Sequence, residues 1–184
     1  MELEPGIDVI RTARLELVPL STSFCDALLS GDLEVASDEI GAHVGPWLLN
    51  DPSHVTRLHL AEGAAQAAGF PGVGRLIVLA TGNRARRVIG SIGFHGPPDD
   101  GERLEVSCRI HPAHRGQGFA IEALAALLEW ATERFGVQRF VVAIPSGHER
   151  WDPVPMEIDD GRAEPPGRRA DALDQLLEGR SGRP

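Results

Sequence analysis

The chain reads as an α+β (α/β) domain: a mixed, mostly antiparallel central sheet with helices on both faces and one strand–loop–helix unit. Three observations predict it. Strand-like runs at residues 73–80, 87–94 and 102–110 follow one another with turn residues between them, which makes an antiparallel meander. The last of them leads through a glycine-bearing loop, Arg115-Gly116-Gln117-Gly118-Phe119-Ala120, into a stretch of helical period over residues 119–135. Gly136 then suits a helix C-terminus, and residues 137–144 form a further apolar run, most simply parallel to the 102–110 strand across the helix.

Each element has its own local warrant. Residues 7–20 alternate apolar and polar side chains at Leu15, Leu17 and Leu20, predicting a half-buried first strand. Ser21 is an N-cap for a short helix through Ser30, with Phe24, Ala27 and Leu28 on one side. Residues 33–68 read as helical, interrupted at Gly45-Pro46 and Asp51-Pro52. The run 73–80 is apolar throughout, Gly82-Asn83 turns the chain, and 87–94 returns as its partner. Gly96-Pro97-Pro98-Asp99-Asp100-Gly101 turns it again before the fourth strand. In the 119–135 helix the apolar face is Ala120, Ile121, Leu124, Leu127, Leu128, Ala131 and Phe135.

At 184 residues the chain suits one domain, or one domain with an appendage. A net charge of -9 and a pI near 5.2 argue against a nucleic-acid or anionic-membrane binder and suit an amine-bearing substrate. Cys25 and Cys108 stand far apart without metal spacing, so reduced thiols in a cytoplasmic protein are expected. No apolar run reaches membrane-spanning length, and the acidic start MELEPGID is no signal peptide. All 18 basic residues are arginine, and tyrosine is absent.

The loop carries the chemistry. Its two glycines allow close backbone approach to a ligand, and the following helix adds first-turn N–H groups and the positive end of its dipole. Such a nest binds an anion, most naturally phosphate or pyrophosphate. A Walker loop would need Gly-Lys-Ser/Thr, and the chain has no lysine. A dinucleotide GxGxxG from Gly116 meets Ile121 where its third glycine belongs. The pattern Arg/Gln-x-x-Gly-x-Gly/Ala fits at Arg115, Gly118 and Ala120.

That pattern resembles the pyrophosphate loop of the GNAT superfamily of acyl-CoA-dependent N-acetyltransferases. Gly90-Ser91-Ile92-Gly93-Phe94, Gly96-Pro97-Pro98, Leu104-Glu105-Val106, the Arg115 loop and Glu122-Ala123-Leu124 stand in family order over residues 8–145. Thr12-x-Arg14-Leu15-x-Leu17-x-Pro19-Leu20 is similar to the opening strand of the ribosomal-protein N-terminal (alanine) acetyltransferase branch. The resemblance implies a GNAT fold and acetyl-CoA as acyl donor, held by Arg115, Gly116, Gln117, Gly118, Phe119 and Ala120. It implies that the backbone at Ile110 and His111 contacts the pantetheine, between diverging fourth and fifth strands. It also implies a polarising N–H at a bulge of the fourth strand, and no metal.

An amine must lose a proton before or during attack. Glu105 is the candidate base, matching an acidic position of this branch; a structural carboxylate paired with Arg109 is the competing reading. Ser107 and His111 are weaker candidates, and Cys108 is read as a small buried residue rather than a nucleophile. Trp47, His54 and His59 could line the acceptor side, although packing or exposure explains each more simply.

After Pro145 the resemblance stops: no Leu-Gly-Phe segment follows, His148 stands where an asparagine would, and the tyrosine that often serves as general acid is missing. Residues 146–184, rich in proline, glycine and charge, are expected to be partly disordered. Within them Val154, Met156 and Ile158 suggest an edge strand, and residues 168–178 a helix. The functional expectation is acetyl transfer to a primary amine, either a protein N-terminus or a small amine. The alternative is a catalytically impaired CoA-binding sensor or interaction module. A homodimer is a further expectation, because the edge of the fifth strand invites pairing.

Overall fold

Side-chain alternation along the chain builds one seven-stranded sheet whose two faces bury separate apolar clusters. The computed structural model describes residues 8–50, 52–80, 85–99, 102–143 and 156–158. The strands are β1 (Ile10–Arg11), β2 (Leu15–Pro19), β3 (Gly74–Leu79), β4 (Arg87–Phe94), β5 (Arg103–Ile110), β6 (Arg139–Ala143) and β7 (Met156–Ile158). They lie side by side in chain order, every pair antiparallel except β5 with β6. The parallel pair is the one joined by the long helix α5 (Phe119–Phe135), because a parallel return needs a crossover element. The turn at Gly82-Asn83, the 168–178 helix and His148 lie outside the described residues.

The first strand expected over residues 7–20 is two strands. The Thr12 hydroxyl accepts the backbone N–H of Leu15 (2.9 Å), and the Thr12 N–H donates to the Leu15 carbonyl (2.9 Å), so the chain doubles back there. Ile10 thereby faces Leu17 across a short hairpin.

The helices before β3 are α1 (Thr22–Ser30), α2 (Leu33–Ile40), α3 (Trp47–Asn50) and α4 (Ser53–Ala67). Ser21 caps α1 by accepting the Phe24 N–H (3.1 Å), and Asp32 caps α2 through the Val35 N–H (3.0 Å). α3 begins directly after Gly45-Pro46 and α4 directly after Pro52, in keeping with the interruptions the sequence predicts. With Val18, Leu76, Val78 and Val88 of the sheet, Phe24, Leu28, Ile40, Leu48 and Leu58 make one core.

On the opposite face α5 packs Phe119, Ala123, Leu127 and Ala131 onto Leu17, Ile77, Ile89, Ile92, Val106 and Phe140. Its buried stripe is rotated from the predicted one, since Ile121 is 41% exposed. Two glycines of β4 let its neighbours close in. A Cβ on Gly90 would sit 2.3 Å from the Arg109 carbonyl oxygen, and one on Gly93 would sit 2.4 Å from that of Val73. The Gly90-Ser91-Ile92-Gly93-Phe94 segment is thus a steric requirement of the sheet.

β7 pairs with β6 through Phe140↔Ile158, Val141↔Glu157 and Val142↔Met156. The edge of the fifth predicted strand is therefore covered by the chain itself, which removes the reason given for pairing through that edge with another copy.

Candidate active site

β5 ends at Ile110, a 3-10 turn spans Pro112–His114, and four exposed loop residues lead to α5. Gly116 (φ +71°) and Gly118 (φ +75°) adopt the left-handed region, which only glycine enters without strain. They turn the backbone so that the loop ends at the N-terminus of α5, where the first N–H groups have no intrahelical acceptor. Arg115 donates from Nε to the Ile110 carbonyl (3.0 Å) and so braces the base of the loop.

The loop is clamped from the first hairpin. Glu122, in the first turn of α5, accepts on Oε1 from the Thr12 hydroxyl (2.5 Å) and the Arg14 N–H (2.9 Å). Its Oε2 accepts from Arg14 Nε (2.6 Å). The same guanidinium donates from Nη1 to the Gln117 carbonyl (3.0 Å) and lies 4.5 Å from the centre of the Phe119 ring. Burial alone would raise the Glu122 pKa, but the bonds from Thr12 and Arg14 outweigh it and hold the carboxyl below its ordinary value. Sequence reasoning quoted Thr12, Arg14 and Glu122 in separate motifs; only the fold joins them.

Beside the loop the described strands leave a seam, where β5 runs on past the end of β6. β5 pairs with β6 from Arg103↔Arg139 to Ser107↔Ala143, where β6 ends. Cys108, Arg109 and Ile110 therefore have a strand neighbour on the β4 side alone among the described residues. The bulge expected on this strand is not seen among the described pairings; the register shift among them lies between β3 and β4, at Ile77/Val78. Part of the backbone at Ile110 and His111 is used within the chain. Ile110 accepts from Arg115, the His111 N–H donates to Ile89 (2.8 Å), and the His111 carbonyl accepts from His114 (2.8 Å). A row of rings flanks this corner: Trp47 to His111 at 4.9 Å, His111 to His114 at 5.9 Å, His114 to Phe119 at 6.4 Å. Burial, with His111 and Arg87 nearby, lowers the His114 pKa.

On the face covered by α1–α4, next to the seam, stand Glu105, Ser107 and Arg109 of β5, with Ser91, Gly93 and His95 opposite them. Glu105 is exposed, and the His95 N–H donates to its carbonyl (2.9 Å). Behind it runs a polar chain. His95 Nε2 lies 2.7 Å from Ser107 Oγ, His54 Nε2 lies 2.8 Å from the same oxygen, and His54 Nδ1 lies 2.6 Å from Ser91 Oγ. His54, Ser91 and Ser107 are almost wholly buried. Burial lowers the His95 pKa from 6.5, opposed by the Glu105 carboxylate and aided by Arg57. The burial of His54 fits the packing role its sequence context predicts, and its ring also joins Ser91 to Ser107. His95 went unremarked, since a histidine just past a strand end carries no sequence signal. His59 and Trp47 are half-buried.

Cys108 is half-buried on the α5 side, and burial pushes its thiol up to about 12, so it is no ready nucleophile. A cleft of ≈ 360 Å³ lined by Phe70, Phe135, Gln138 and Arg139 lies at the other end of α5 and β5, away from the loop.

A glycine-turned loop at a helix N-terminus, a seam between the described strands of a mixed sheet beside it and ionisable groups on the adjoining face together define an acyl-transferase architecture. Residues 14–152 match the model of the acetyltransferase (GNAT) domain, and the chain belongs to that family. A curated relative, the uncharacterized N-acetyltransferase YjdG of Bacillus subtilis (strain 168), is 27% identical over 132 residues, 71% of this chain and 76% of that one. An acetyltransferase from Agrobacterium tumefaciens str. C58 is similar at 25% identity and TM-score 0.49, covering 86% of this chain and 96% of its own. RimL, a ribosomal L7/L12 alpha-N-protein acetyltransferase solved with coenzyme A, is similar at 21% identity and TM-score 0.46, covering 73% of each chain.

Proposed function

We propose that this protein transfers the acetyl group of acetyl-CoA to a primary amine, which attacks the thioester directly. The observation that carries the reading is the placement of the Arg115–Ala120 loop at the start of α5, one turn beyond a strand that, among the described residues, runs three residues past its pairing with β6. The loop fits a pyrophosphate: Arg115 to Gly118 are exposed, its glycines have positive φ, and a Cβ built on Gly116 meets nothing within 4 Å. Its backbone N–H groups, from Gly116 to Ala120, would hold that group against the helix dipole. An extended pantetheine arm would run along Cys108–Ile110, with Ile110 and His111 beside it. Bound there, the donor supplies an electrophilic thioester carbonyl. Backbone N–H groups on the open side of β5 stabilise the negative charge that develops on its oxygen.

Glu105 takes the proton from the attacking amine, directly or through a water. Its exposure and its place two residues from the buried Ser107 put it at the boundary between solvent and the polar chain. The acceptor favoured by the Thr12–Leu20 resemblance is a protein N-terminus; a small amine is the other class.

The test is calorimetric titration of the purified protein with acetyl-CoA, followed by a panel of N-terminal peptides and small amines watched for free CoA thiol. Binding with turnover is expected. Binding without turnover across the panel would favour the sensor reading, which the absence of any tyrosine supports. Failure to bind would overturn both.

A further inference from the structure

The polar chain His95–Ser107–His54–Ser91 links three elements of different origin: β4, β5 and α4. Burying it has an energetic cost that plain packing would avoid, since apolar residues of similar shape would fill the space without needing partners. The Ser107 hydroxyl has one proton and two imidazole nitrogens within hydrogen-bond distance, so it can donate to one ring at most and accepts from the other when it does. His54 uses both nitrogens inside the protein. His95 uses only Nε2 in this chain of bonds, and it stands opposite Glu105 in the β4–β5 pairing.

We propose that the proton removed from the acceptor amine comes to rest on His95 Nδ1, and that Ser107 and His54 are positioning residues that hold this ring in the tautomer able to receive it. The inference rests on the acetyl-transfer reading and extends it by a second proton site.

In the resting tautomer His95 Nε2–H donates to Ser107, Ser107 O–H donates to His54 Nε2, and His54 Nδ1–H donates to Ser91. The lone pair of His95 is then at Nδ1. As the amine attacks, its N–H bond breaks and an O–H bond forms on Glu105. That O–H then breaks as N–H forms at His95 Nδ1, which returns Glu105 to the carboxylate and leaves an imidazolium beside it. Solvent removes the proton afterwards. Every bond of the buried chain keeps its donor and acceptor throughout. The direction is reasonable, because imidazolium is a weaker acid than a carboxylic acid by about two pK units in model peptides. The charged groups facing the ring are Glu105 on β5, which favours the cation, and Arg57 on α4, which opposes it; His54 acts through Ser107. Burial keeps the ring neutral and ready near pH 7.

Two measurements test this. In ¹⁵N NMR of histidine-labelled protein, His95 should be the Nε2–H tautomer at pH 7, with a midpoint below 6.5 that moves lower in Glu105→Gln. An Nδ1–H tautomer, or a midpoint indifferent to Glu105→Gln, would overturn the proposal without any reference to turnover. In kinetics, His95→Gln should lower kcat roughly 10²-fold and remove the ionisation on the acid limb of the pH profile. Its acetyl-CoA affinity should be unchanged. Ser107→Ala should keep the limb but displace its midpoint, a change that simple packing loss would not produce. Turnover in the natural protein with an undiminished His95→Gln would sink the second proton site and leave the acetyl-transfer reading intact. A natural protein that binds acetyl-CoA and acetylates nothing would end both.

Discussion

At the scale of single residues, Gly118 is the position on which the candidate cosubstrate site depends most directly. Its φ of +75° makes any L side chain strained there, and a Cβ would also approach Arg14 Nη2 at 3.4 Å. Gly118→Val should therefore reorient the N–H groups at the head of α5 and abolish acetyl-CoA binding in calorimetry. Gly116→Val meets no neighbour, so its effect would be conformational strain alone. We expect it to weaken binding less than the Gly118 change; equal, undiminished affinity in both variants would count against the phosphate loop. Glu105 belongs to the same scale: Glu105→Gln should lower turnover while sparing acetyl-CoA affinity.

At the scale of elements, the join between the first hairpin and α5 is set by Glu122. Its pKa lies below 4.5, so the stabilisation it contributes is fully present above the ordinary carboxylate range and is lost as pH falls through the folded-state value. Glu122→Gln should unfold more easily at pH 7, by about 1–3 kcal/mol for lost hydrogen bonds to a charged group. It should also show a shallower loss of stability between neutral pH and acid than the natural chain. Denaturant melts at a series of pH values check both, and parallel curves for the two proteins would assign the clamp no thermodynamic role. Arg14 holds Gln117 as well, so the same variant should raise hydrogen exchange in the loop.

At the scale of the whole molecule, the sheet separates two cores, and each cysteine reports on one. Cys25 lies in the core under α1 to α4, and Cys108 packs against the core under α5. Burial, with Asp26 nearby, pushes the Cys25 thiol up to about 12, and burial does the same for Cys108. Both should resist iodoacetamide at pH 8 in the folded protein and react fully in denaturant. If Cys108 labels early while Cys25 stays protected, the α5 side opens independently and the molecule is not a single cooperative unit. Leu127→Ala, fully buried between α5 and the sheet, should destabilise by about 2–5 kcal/mol in the same melts.

The sequence by itself determined the meander, the span of α5, its Gly136 terminus and the place of the glycine-bearing loop before that helix. These are local matters: alternation, helical period, and glycines whose backbone freedom is a property of one residue. It also supplied Gly90 and Gly93 without their reason, which is a backbone contact across two neighbouring strands. Only the tertiary structure decided that residues 7–20 fold back at Thr12, that Ile121 turns outward, and that β7 covers the edge of β6. It alone brought Thr12 and Arg14 to Glu122, more than a hundred residues away, and His54 to Ser91 and Ser107. Hydrogen bonds between side chains so distant in sequence leave no periodic trace in it; they exist only once the sheet has set which faces meet.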